Sequence, residues 1–184
     1  MKKRYEETVV NAVSFKEMFG IVQKFVHEYT GKRKTGIRLY LEDLGYLENG
    51  FIGAYYQYHT NAITINASPL RDVLRKNPTV IKWYLFHLLL HEYVHALGVV
   101  DERRTREIVY ELSVEHFGKK HILTRMAQDL MPYVQPGRVK KNVDVVWDGE
   151  SAGNEKDFFD SFEEMQQIMN SVMKEFDRMF NHFF

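Results

Sequence analysis

Apolar residues change their spacing several times along this chain, and each change marks a predicted element. Phe15, Met18, Phe19, Val22, Phe25 and Val26 recur every three or four positions, which predicts an amphipathic helix over 14–29. Ser14 stands at its start with Glu17 three residues on, the pattern of a capping box. From Ile37 to Leu41 apolar and polar residues alternate, as in a half-buried strand. Stretches 53–59 and 62–66 predict two more strands, joined as a hairpin through His59-Thr60-Asn61. A short helix over 70–75 is expected to stop before Asn77-Pro78, because a residue preceding proline avoids helical angles.

Between Ile81 and Leu90 the chain is apolar almost without a break, which predicts a buried helix with Thr79 as its cap. Gly98 falls where a helix ends in a left-handed residue. Asp101 is then placed to cap a helix to about residue 116, and a further helix is expected over 121–130. Pro132 and Pro136-Gly137 interrupt the pattern, so 133–156 reads as a polar connector with a strand-like patch at 143–147. Phe158, Phe162, Met165, Met169, Val172, Phe176, Met179 and Phe183 then alternate at spacings of four and three, a coiled-coil seam. The predicted organisation is a principal domain over 1–132, the connector, and a C-terminal amphipathic helix over 157–184. That seam suits a symmetric partner helix, giving a homo-oligomer. Docking on the protein's own core fits the same seam, and the sharper alternatives are an adaptable Met/Phe surface for unfolded substrates or an inhibitory tail covering a cleft.

Composition narrows the function classes. At 184 residues with 45% hydrophobic content, the chain can bury one sizeable core. Lys+Arg 25 balance Asp+Glu 25, so no global field favours nucleic acid. The clusters Lys2-Lys3-Arg4 and Lys32-Arg33-Lys34 read as solvated surface. Cysteine is absent, which removes disulfides and thiolate metal ligands and fits a reducing compartment. No apolar run of signal-peptide length opens the chain, and the longest, near 79–90, is interrupted by Lys82 and His87. The expectation is a soluble cytoplasmic protein without a membrane partner.

The candidate chemistry lies at the end of the buried run: His91-Glu92-Tyr93-Val94-His95, followed by Gly98 and Asp101. Residues four apart share a helix face, so both imidazoles can reach one ion while Glu92 stands beside it. Two imidazoles with one carboxylate make a zinc site with an open position for water. Two histidines satisfied inside a dry core are the bland alternative. His87, one turn before His91, reads either as a partner of the site or as a buried histidine bonded to backbone, the latter being favoured.

The extended motif HExxHxxGxxD resembles the zincin metallopeptidases, and within them the metzincin variant in which aspartate replaces the third histidine, as in snapalysins. The likeness covers roughly residues 62–111. It implies an α+β, zincin-like fold: a small mixed or antiparallel sheet packed on the active-site helix, then further helices and the C-terminal heptad helix. It also implies Zn2+ held by His91, His95 and Asp101, with Glu92 as catalytic base and a peptide or protein as substrate. An edge strand beside the cleft pairs with substrate in such families, and that role falls on Ala62–Asn66. A gluzincin-like set remains open, with Glu107 facing the histidines from the next helix, and Glu102 and Glu111 behind it. The helix predicted after Asp101 departs from the metzincin pattern, in which loops lead to a methionine turn; Met126 and Met131 are candidates for that turn or for the core. Tyr110, His116 and His121 are candidate oxyanion donors. A zincin-like scaffold serving as a binding or assembly module is the non-enzymatic alternative.

Overall fold

The computed structural model describes residues 2–134. The connector beyond residue 134, the strand-like patch at 143–147 and the heptad helix over 157–184, with the oligomer expected from it, lie outside the described residues. Two helices open the chain, α1 (Lys2–Asn11) and α2 (Phe15–Thr30). Strands β1 (Arg38–Glu42), β2 (Ala54–Gln57) and β3 (Ala62–Asn66) follow, then α3 (Ala67–Lys76), α4 (Ile81–Ala96), α5 (Glu102–Phe117) and α6 (Ile122–Gln128). This is an α+β arrangement with a three-stranded mixed sheet.

Local chemistry explains several boundaries. Ser14 accepts a hydrogen bond from the Glu17 N–H at 3.1 Å, and the Glu17 carboxylate reaches back to the Val13 N–H at 2.8 Å. That reciprocal pair starts α2, and Gly31 ends it in a left-handed conformation. Helix α1 was not expected from the sequence. Among its described side chains Tyr5 and Val9 are buried, with Ala12 just past its end, too short a period to stand out.

Strand order is β1-β3-β2, with β1 parallel and β2 antiparallel to β3. All five residues of β3 are buried, so it is the centre of the sheet and not the exposed edge anticipated for it. A strand paired on both sides has no free backbone groups to offer a peptide, and the edges belong to β1 and β2.

Helix α4 holds the fold together, touching α1, α2, α3, α5, α6, β2 and β3. Of its 16 residues only His91 and His95 escape full burial. A helix apolar on every side belongs in a core, and here the two histidines mark the single stripe that reaches a surface. Even Lys82 is buried, its ammonium donating to the Val10 carbonyl at the end of α1. Thr79 does not cap this helix. It lies within the 3-10 turn Pro78–Val80, which leads straight into α4 with no side-chain cap.

Asn66, at the end of β3, fixes the loop before β2. Its side-chain oxygen accepts from the N–H groups of Leu44 and Ser68, each at 3.1 Å. Its amide nitrogen donates to the carbonyls of Gly45 at 3.0 Å and Ile52 at 2.8 Å. All four hydrogen-bonding positions of the buried amide are therefore met, and the segment Gly50–Ala54 is held down over α4.

Candidate metal centre and cleft

Helix geometry stacks His91 and His95, and the start of α5 brings a carboxylate to them. His91 Nε2 and His95 Nε2 lie 3.2 Å apart. Glu102 Oε2 stands 3.3 Å from the first and 3.2 Å from the second. Zinc bonds of 2.0–2.1 Å in a tetrahedral arrangement place ligand atoms about 3.3 Å from one another. The observed triangle has that edge on all three sides. Among the described residues these are the groups that could hold a metal ion.

Surrounding contacts aim the three side chains. His95 Nδ1 lies 2.7 Å from the Val99 carbonyl. A carbonyl only accepts, so Nδ1 carries the proton and Nε2 presents a lone pair to the triangle. Thr105, fully buried, donates to the same carbonyl at 3.3 Å. The Arg106 Nε donates to Glu102 Oε1 at 2.8 Å, leaving Oε2 for the histidines. Burial lowers the His91 pKa, with His95 and Arg106 adding to it and Glu102 opposing. A neutral His91 has at most one N–H to share between two acceptors, whereas one divalent cation would satisfy all three groups. Partial burial works against the Glu102 charge, but His91 and Arg106 hold its carboxyl below the usual value.

Glu92 lies beside this group and is buried. Burial first, and then the charge of Glu102, push its pKa up to about 8, while a hydrogen bond from the Tyr56 backbone N–H pulls the other way. The metal-free protein therefore holds Glu92 largely protonated at neutral pH. At the other end of the cleft-facing stripe is His87, buried, its ring centroid 6.4 Å from that of His91. Burial, with His91 and Arg106 behind it, drives its pKa down to about 3, so it is uncharged. Its Nδ1 has no hydrogen-bond partner, contrary to the backbone bond expected for it.

Several sequence expectations are redirected. Asp101 does not join the histidines. It sits at the N-cap of α5 and accepts from the Arg104 N–H at 2.7 Å. Its carboxylate thus serves the helix end, and the next residue, Glu102, comes to the imidazoles in its place. Glu107 pairs with Arg103 at 3.2 Å and Arg104 at 3.1 Å on the exposed face of α5. His121 caps α6 through Leu123 N–H, His116 is packed among the rings of Tyr5, Phe25 and Tyr29, and Tyr110 receives Gln128 at 3.5 Å. None of these three lines the cleft.

The cleft itself, about 490 Å³, runs from His91, Glu92 and Glu102 between the Gly50–Ala54 segment and the α5–α6 side. Gly53 makes that approach possible, since a Cβ there would stand 2.7 Å from Leu88 Cδ2. No letter pattern around Gly53 announces this contact, and sequence reasoning missed the residue. Met126 and Met131 both line the cleft, the first buried and the second half-exposed. No helix among the described residues is long and apolar enough to cross a membrane. Compared with protein-family models, characterised proteins and solved structures, the chain matches none.

Proposed function

We propose that the chain is a zinc-dependent peptidase of zincin type, with His91, His95 and Glu102 as metal ligands and Glu92 as general base. The observation that carries this reading is the triangle of Nε2, Nε2 and Oε2 with edges of 3.2–3.3 Å, next to a buried carboxyl facing the same cleft. Calcium and magnesium prefer shells of oxygen ligands, so two imidazoles with one carboxylate favour zinc. Zinc bound there supplies Lewis acidity toward a carbonyl oxygen and lowers the pKa of a bound water to about 7.

Glu92 has the proton work. It accepts a proton from the attacking water and returns it to the leaving nitrogen. For the first of these it must be ionised, and it sheds its proton more readily when the neighbouring ligand group carries positive charge. Arg106 keeps Glu102 turned toward the histidines, and the Val99 carbonyl keeps His95 in the ligating tautomer. Strand β2 is an edge of the sheet and follows directly on the segment lining the cleft, so an extended peptide laid beside it is the ligand shape this rim suits.

Metal analysis together with peptide hydrolysis by wild type and Glu92→Gln tests the proposal. One equivalent of zinc in both proteins, with turnover in wild type alone, is the expected result. Absence of zinc, or equal turnover in the two, would leave a non-catalytic scaffold as the better account.

A further inference from the structure

Among the side chains bordering the cleft, Arg106 is the permanent cation. Its neighbours Arg103 and Arg104 are both held by Glu107 on the outer face of α5, whereas Arg106 turns to the cleft. The Arg106 Nε donates to Glu102 Oε1 at 2.8 Å, and among the described residues Glu102 is its one polar partner. The remaining N–H donors, all on the two Nη atoms and in one plane, meet no acceptor there. After burial, the charge of Arg106 is among the causes that lower the pKa of His91 and of His87. The guanidinium therefore stands within Coulombic reach of the α4 floor. Glu102 fixes its distance from the chemistry: Oε2 is a corner of the triangle and Oε1 receives Arg106. The Nη atoms are thus one carboxylate and one hydrogen bond from the proposed ion, roughly 6–9 Å. A peptide advances about 3.3–3.6 Å per residue, so a group held by those atoms belongs to the first or second residue beyond a carbonyl at the ion.

We propose that Arg106 captures a substrate carboxylate one or two residues beyond the cleaved bond, supplied either by the peptide's C-terminus or by an acidic side chain. This specificity rests on the peptidase reading of the same cleft. The planar fork of Nη donors matches the two oxygens of a carboxylate, and an amide or hydroxyl cannot answer both donors with negative charge. The acidic and amide groups of the cleft restrict where an anion gains. Glu102 is committed to the histidines and to Arg106, and Glu92 lies on the α4 floor beside them. At the end of α6, Gln128 donates to Tyr110 at 3.5 Å and Asp129 accepts from the Met131 N–H at 3.0 Å. No cation pairs with Asp129 among the described residues, so a carboxylate laid against that end would meet its charge unopposed. The Nη end of Arg106 is left as the place for an anion. A lysine-bearing peptide tests whether Asp129 dictates the choice instead.

The zinc-loaded full chain is assayed on peptides that differ only in a free or an amidated C-terminus. A second, amidated set carries Glu, Gln or Lys at the two positions after the cleaved bond. Each ratio compares two substrates on one protein, so zinc lost from a variant cancels. Hydrogen bonds to charged groups are worth about ten- to hundredfold, and Arg106 is 69% exposed, so wild type is expected to favour the carboxylate by about tenfold in kcat/KM. Preference within the first set identifies the terminus as the source, and preference for Glu within the second identifies the side chain. Arg106→Gln should bring the ratio to within about twofold of unity, and Arg106→Lys, which keeps the charge and loses the fork, should retain part of it. In parallel, N-acetylglycine and its amide are titrated into the metal-free full chain at low salt by NMR, where neither can ligate an ion. A preference for the acid is expected there too, lost in Arg106→Gln. If no peptide is cut but this preference depends on Arg106, the peptidase reading fails and the carboxylate subsite stands. Equal rates for acid and amide and for Glu and Gln, a preference for Lys, or a carboxylate preference unchanged in Arg106→Gln would each overturn the inference, as would the absence of both cleavage and acid preference.

Discussion

In Glu92 the demands of folding and of chemistry oppose one another, and the conflict is measurable. The side chain is 6% exposed, and its pKa moves from an ordinary 4.5 to about 8. Between those values the metal-free folded protein keeps a proton that the unfolded chain has released. Stability from this group is therefore fully present below about pH 4.5 and is lost as pH rises toward 8. At about 1.4 kcal/mol per pH unit the gap is worth on the order of 5 kcal/mol, and water reaching a cleft-facing carboxyl reduces it to roughly 3. Glu92→Gln preserves the shape and removes the titration. With a chelator present, the unfolding free energy of this variant relative to wild type should climb by roughly 3–5 kcal/mol between about pH 5 and 9. Urea denaturation across that range reads the difference directly. Saturating zinc should flatten the climb, because positive charge nearby favours the ionised carboxylate. A difference constant to within about 0.5 kcal/mol, the scatter of ordinary surface substitutions, would refute the picture of a desolvated acid.

Four further outcomes rest on the site's construction. Glu102→Gln should weaken zinc binding by well over tenfold in competition with a chromophoric chelator. Asp101→Ala should leave that affinity within about threefold and instead lower unfolding stability by about 1 kcal/mol through loss of the cap; the reverse pattern would return the ligand role to Asp101. Arg106→Met should reduce zinc affinity roughly tenfold, as expected for a group that orients a ligand, with little change in the melting temperature of the metal-free chain, since exposed ion pairs contribute little. Gly53→Ala, with its Cβ driven into Leu88, should cost about 1–3 kcal/mol in chemical denaturation, and a neutral result would show that the rim segment is free to lift.

The parts of this architecture that depend on local chemistry were legible in the sequence. Strand β3 falls on the predicted residues 62–66, and the Ser14–Glu17 box starts α2 as its letters suggest. The histidine pair needed only a helix beneath it. Apart from the short helix α1 and the cap wrongly expected of Thr79, what escaped prediction depends on contacts between distant segments. Whether β3 is an edge or a centre is decided by β1 pairing on its far side, a parallel match across more than twenty residues that alternation cannot reveal. Gly53 matters because Leu88 lies beneath it. The solitary state of His87 Nδ1 depends on what fails to approach it, which no spacing encodes.

The third corner of the triangle shows how far one residue of register reaches. An N-cap residue has extended backbone angles, and its side chain turns back onto the first amides of its own helix. Asp101 does so, with φ −70° and ψ 119°. The first helical residue, Glu102, is released from that duty and can project toward the preceding helix end. Positive-φ Gly98, the Val99 carbonyl bonded to His95, the Asp101 cap and the buried Thr105 each constrain the short turn between α4 and α5. They hold Nε2, Nε2 and Oε2 at 3.2–3.3 Å from one another, so that capture of the proposed zinc ion would require little further ordering of the chain. The same constraint disfavours larger cations, because a turn with its carbonyl and its cap already committed has little freedom to open into a shell of six or more oxygens.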